Sequence, residues 1–177
     1  MASPGLSHED IGRQLDETSV TQNKNDSHSI EGLSIYFIML SVTNLTAQPF
    51  SRWFEKRFDI SLNEWRVMYI IALHPKISQS NVAYYLGMDK MAVSRAVRRL
   101  LKHKRVIRQP QSGKKREMSL SLSAAGKQLY NVIATAGALR EERLQKGFKP
   151  YELEAMRDYL NRFHANARTM SEDDDLE

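Results

Sequence analysis

Residues 89–116 read DKMAVSRAVRRLLKHKRVIRQPQSGKKR, and the rest of the fold is read outward from them. From Lys90 to Arg116 the stretch holds Lys90, Arg95, Arg98, Arg99, Lys102, Lys104, Arg105, Arg108, Lys114, Lys115 and Arg116, eleven of the 26 Lys and Arg, and no acid. The remaining sequence carries 15 basic residues against 21 acidic ones, so the formal charge of +5 is concentrated in one window. The charge is also ordered. At about 100° per residue, a helix from Lys90 to His103 turns Val93, Ala96, Val97 and Leu100 to one side and Met91, Arg95, Arg98, Arg99 and Lys102 to the other. Asp89 suits the N-cap, because its carboxylate accepts free amide protons of the first turn and sits at the positive end of the helix dipole. Most Lys and Arg runs are solvated faces, but such faces normally mix in acids for solubility and pairing. A helix packing on one side and offering only cations on the other attracts phosphate.

The residues before this helix supply its partner. Ser61-Leu62-Asn63-Glu64 is a capping box with Ile60 and Trp65 at the staple positions, so a helix begins at Leu62 and stops at His74, before Pro75. Ser78 caps a short helix through Val82, Ala83 and Leu86, and Gly87 suits the left-handed residue that ends it. Two short helices joined by a Gly-containing turn, the second basic on its exposed face, make a helix-turn-helix. After it, Arg105-Val106-Ile107-Arg108 is β-prone and Gln109 to Gly113 reads as a turn. Met118, Leu120 and Leu122 then alternate with Ser119 and Ser121, the period of a half-buried strand. The hairpin carries Lys114, Lys115 and Arg116 at or beside its tip, which completes the outline of a winged helix.

The flanks read differently. Residues 1–28 are polar and expected to be a flexible extension, with a short amphipathic helix open to Ser7, Asp10, Ile11 and Leu15. Ile30 to Phe58 is helical but apolar around most of its circumference, which requires cover from a partner subunit, and Pro49 predicts a kink or break near 45–49. Ser123 caps a long helix to about Lys146, Gly147 ends it, and Pro150 opens a last helix with a seam of Leu153, Met156, Leu160, Phe163 and Ala167. Ser171 to Glu177 is an acidic tail expected to fray. The organisation is thus an extension (1–28), a helical dimerisation region (29–60 and 123–170), a winged helix-turn-helix (61–122) and the tail (171–177). The fold class is mainly α with a small β-hairpin wing.

Composition narrows the chemistry. The absence of Cys removes disulfides and thiolate metal sites and fits a reducing cytoplasm, and His8, His28, His74, His103 and His164 show no metal-ligand spacing. The start MASPGLSHEDIG lacks the pattern of a secretory signal, and the uncharged stretch from Gly32 to Ser51 is too polar for a membrane span. No phosphate loop, paired Cys or His motif or nucleophile elbow points to an enzyme, and no cofactor is expected.

Residues 30–168 resemble the MarR family of bacterial winged-helix regulators. The resemblance rests on Glu64-Trp65-Arg66-Val67, Ile77-Ser78-Gln79-Ser80-Asn81-Val82-Ala83, Val93-Ser94-Arg95-Ala96-Val97-Arg98-Arg99-Leu100, Arg116 and Leu122-Ser123-Ala124-Ala125-Gly126. Two departures stand out: Lys104 or Arg105 occupies the place of the family's Gly after the recognition helix, and Lys114 the place of an Asp in the wing. Lys90, Met91, Ser94 and Arg95, nearest the first turns, are the candidates for base edges in the major groove, and Arg98, Arg99 and Lys102 for phosphates. Ser78, Ser80 and Arg108 complete the expected DNA-binding set. The resemblance implies that Lys114, Lys115 and especially Arg116 enter or flank the minor groove. It also implies a ligand cavity between the first helix, the second and the long helix after the wing, for which Tyr36, Met39, Ser41, Thr43, Asn44, Trp65, Arg66 and Met68 are the candidates, with His74 a further source of charge.

The leading reading is a homodimeric repressor that binds a pseudo-palindromic duplex and is released by an aromatic acid or its coenzyme A thioester. The rival is a ligand-independent winged helix, architectural on DNA or engaged in protein interaction. Steep salt dependence with sequence preference and ligand-induced release separate the two.

Overall fold

In the computed structural model, which describes residues 30–110 and 118–172, the elements run α1 (Ile35–Phe58), α2 (Leu62–Leu73), β1 (Ile77–Ser78), α3 (Gln79–Leu86), α4 (Lys90–Lys102), β2 (Val106–Pro110), β3 (Met118–Leu122), α5 (Ala124–Leu144) and α6 (Pro150–Glu172). The N-terminal extension, the loop with Lys114, Lys115 and Arg116, and residues 173–177 lie outside the described residues. The chain divides after Ala136 into two compact units, with α5 crossing the boundary. The fold is mainly α with one three-stranded antiparallel sheet.

Local chemistry sets the helix ends. At α2, Ser61 N donates to Glu64 Oε2 at 2.9 Å and Glu64 N donates to Ser61 Oγ at 3.3 Å, a complete capping box, and the staple residues Ile60 and Trp65 are both buried. At α3, Asn81 N donates to Ser78 Oγ at 3.2 Å, and Gly87 at φ 59° closes the far end. Val67, Met68 and Ile71 of α2, Val82 of α3, Val93, Val97 and Leu100 of α4 and Leu120 of β3 meet in the core. Each such side chain contributes about 1.5–3 kcal/mol of burial.

Three features differ from the sequence expectation. Pro49 does not break α1, which is continuous from Ile35 to Phe58. The carbonyl it leaves without an amide belongs to Leu45, a residue 73% exposed and so open to solvent, and Thr46 Oγ1 donates to Val42 O at 2.7 Å beside it. Strand β2 continues through Gln109 to Pro110, paired with Ser119 and Met118, so the turn starts later than its Gln-Pro composition suggests. The order β1-β3-β2 makes β2 an edge, where a proline without an amide proton is tolerated. Strand β1 was not expected, because two residues cannot display an alternation; it exists through pairing of Ile77 with Leu120 and Ser78 with Ser119.

Candidate nucleic-acid interface

The recognition element is α4. Val93, Ala96, Val97 and Leu100 are buried, while Met91, Arg95, Arg98 and Lys102 are exposed. These four exposed residues fall within about 30° of one line along the helix. Lys90, exposed, and Ser94, half-buried, flank the stripe. Asp89 Oδ1 accepts Ala92 N at 2.9 Å, fixing the first turn that carries Lys90 and Met91. The other end closes as a Schellman motif, with Arg105 N donating to Leu100 O at 2.9 Å and Lys104 N to Leu101 O at 3.0 Å. Lys104 takes φ 56°, so it occupies the left-handed place that the family resemblance gives to Gly.

Two arginines of the cationic window are engaged by acids or carbonyls of the protein itself. Arg99, expected at phosphate, lies about 70° off the exposed line. Its Nη2 donates to Asp59 Oδ1 at 3.2 Å, and its Nε lies 3.4 Å from Oε1 of the fully buried Glu64. His103 Nε2 stands 3.9 Å from Asp59 Oδ2. Arg105 donates to the backbone carbonyls of Phe58 and, at 2.8 Å, Asp59, satisfying the C-terminal end of α1. Sequence reasoning gave Arg105 no role, since periodicity does not separate a clamp on carbonyls from any other cation.

Around the wing, Arg108 Nη2 donates to Gln79 Oε1 at 3.1 Å, which ties β2 to the first turn of α3. The Ser78 hydroxyl serves as the α3 cap, whereas Ser80 is exposed. Lys114, Lys115 and Arg116 fall outside the described residues. Among those described, no cluster of His, Asp and Glu is placed to hold a metal ion, and no helix is long and apolar enough to cross a membrane.

The candidate ligand residues separate into two groups. Trp65 is buried in an aromatic cluster with Phe50, Phe54, Tyr69 and Tyr130, and Met68 is wholly buried. Burial, and then the neighbouring Tyr69, raise the pKa of the Tyr130 phenol, so it stays protonated beyond the ordinary tyrosine range. Arg66 is half-buried one turn before Tyr69. Tyr36, Met39, Ser41, Thr43 and Asn44 lie further up α1, about 9 to 21 Å along the axis from Phe50, where α1 meets Trp65. Tyr36, Thr43 and Asn44 are exposed there, and the Thr43 hydroxyl donates to Met39 O at 2.8 Å. An open groove of about 930 Å³ in the second unit is lined by Leu139, Phe148, Leu153 and Arg157 among others, and by none of the candidates.

A capped recognition helix, a preceding short helix and a strand-paired wing define a winged helix-turn-helix protein. Residues 58–117 match the model of the MarR family. No curated protein matches the chain. Among solved structures, a MarR/EmrR family transcriptional regulator from Acinetobacter sp. ADP1 is 25% identical, with a TM-score of 0.69 over 76% of this chain and 94% of its own. A MarR-family regulator from Listeria monocytogenes, solved with a 26-mer DNA, has a TM-score of 0.71 at 21% identity, over 75% of this chain and 88% of its own. NadR in complex with 4-hydroxyphenylacetate has a TM-score of 0.67 at 19% identity, over 79% and 96%.

Proposed function

We propose that the protein is a homodimeric repressor that places two copies of α4 in successive major grooves of a pseudo-palindromic operator and leaves DNA when an aromatic acid, or its coenzyme A thioester, binds. The observation that carries this reading is the stripe Met91, Arg95, Arg98 and Lys102, exposed along the whole of α4 opposite a fully packed face. Lys90, Met91, Ser94 and Arg95 lie at the helix start, the part that reaches base edges in a helix-turn-helix. Arg98, Lys102, Ser80 and Arg108 are assigned to the backbone, with Lys114, Lys115 and Arg116 at the minor groove. Ser78 acts there through the helix start that it caps.

The effector site is placed against the aromatic cluster of Trp65, with Arg66 offering charge to a carboxylate and Met68 behind it. Tyr36 to Asn44 belong to the same proposal as the wall contributed by α1. Release requires a coupling of about 1–3 kcal/mol between ligand and operator. The test measures operator affinity across a salt series for the wild type, Arg95→Ala and Arg116→Ala, then repeats the wild type with 4-hydroxyphenylacetate. Loss of affinity in both variants and release by the acid are expected. Unchanged affinity and salt dependence in both variants would show that the assigned face is the wrong one.

A further inference from the structure

The C-terminal half of the recognition helix is tied to the corner between α1 and α2 through side chains that sequence periodicity assigned to DNA or to nothing. Asp59, the left-handed residue that ends α1, offers Oδ1 to Arg99 at 3.2 Å and its carbonyl to Arg105 at 2.8 Å. Glu64, in α2, three elements before α4 in the chain, is wholly buried, and its Oε2 is held by the Ser61 amide and hydroxyl at 2.9 and 2.7 Å. Its Oε1 has no aligned hydrogen bond among the described residues and stands 3.4 Å from Arg99 Nε. A buried carboxylate demands a compensating cation, and Arg99 is the one the structure brings to it. The guanidinium therefore spans an acid at the end of α1 and an acid in the first turn of α2.

We infer that Arg99 is a positioning residue: by bridging Asp59 and Glu64 it sets the angle at which α4 leaves the α1–α2 corner, and thereby the specific fit of the stripe to an operator, without itself contacting phosphate. This rests on the DNA-binding reading above. Two chemical differences separate it from a phosphate contact. A phosphate contact contributes to the salt dependence of binding, whereas a strut inside the protein releases no counterion. Lys replaces Arg acceptably as a point charge on phosphate but lacks the planar fork that reaches two carboxylates.

The experiment uses the full chain and fluorescence anisotropy on two duplexes, an operator selected from a random library and an unrelated sequence, between low and moderate salt. Concentrations are corrected for the active fraction, so that lost stability does not imitate lost affinity. For Arg99→Met and Arg99→Lys the expected result is a tenfold or greater loss on the selected operator, an unchanged slope of log affinity against log salt, and unchanged binding to the unrelated duplex. Arg98→Ala, by contrast, lowers the slope by about one and weakens both duplexes together. The inference is overturned if Arg99→Met lowers the slope as Arg98→Ala does, if Arg99→Lys restores the wild type, or if neither changes operator affinity. Should Arg99→Met fail to fold, Asp59→Asn decides: Asp59 has a side chain 72% exposed, and its loss is expected to weaken operator binding several-fold at constant slope. No change on that substitution overturns the strut. A wild type without salt-dependent duplex binding would instead remove the DNA-binding reading, and this inference with it.

Discussion

Lys104 holds a left-handed backbone at φ 56° in the motif that ends α4, a conformation that costs a residue with a Cβ about 1–2 kcal/mol. Lys104→Gly relieves that strain and loses a little chain entropy, so the variant gains about 1 kcal/mol and melts about 2–4 °C higher. Equilibrium denaturation of the two proteins checks this, and an unchanged or lower midpoint would contradict it. Met91 is the one apolar side chain on the exposed stripe, 60% exposed in the first turn of α4. In the major groove its partner of matching chemistry is the C5-methyl of thymine. Replacing the contacted dT by dU removes one methyl, about 0.8 kcal/mol or a fourfold weakening for the wild type, and leaves Met91→Ala indifferent. Equal losses in both proteins would rule the contact out. Arg98 and Arg99 carried the same sequence expectation, a phosphate, and only the three-dimensional position of Asp59 and Glu64 sets Arg99 apart.

Among elements, the corner after α4 is the most constrained. Ser123 N donates to Arg105 O at 3.0 Å, Ser123 Oγ donates to Lys104 O at 2.6 Å and accepts Gly126 N at 3.0 Å, so the start of α5 is stitched to the end of the recognition helix. Gly126 is required by this approach, since a Cβ built there falls inside the van der Waals shell of the Arg105 carbonyl. Gly126→Ala therefore destabilises by about 2–3 kcal/mol, read as a lower melting temperature, and a neutral result would mean that α5 shifts freely. The caps of α2, α3 and α4 and the packed side of α4 were legible beforehand, because each depends on residues within four positions of one another. Strand β1 and the persistence of α1 through Pro49 were not, because each is decided by distant partners or by solvent.

At the scale of the molecule, α1 leaves Ile35, Tyr36, Phe37, Leu40, Val42 and Leu45 exposed, and α6 leaves Tyr151, Met156, Tyr159, Leu160, Phe163 and Met170 exposed. Each of these apolar faces is of the extent that marks association. The expected outcome of light scattering is twice the mass of one chain, and Leu40→Glu combined with Phe163→Glu is expected to yield single chains that no longer bind a full operator. A wild type that scatters as one chain at micromolar concentration would dismiss the dimer.

By itself the sequence determined the helix starts and stops and the two-sided character of α4, because capping, periodicity and charge order act within a few residues. The tertiary structure alone decided which cations are paired within the protein. Pairing a guanidinium with a buried carboxylate or a helix-end carbonyl depends on residues some 35 to 47 positions apart, as Arg99 with Asp59 and Glu64, and Arg105 with Phe58, show.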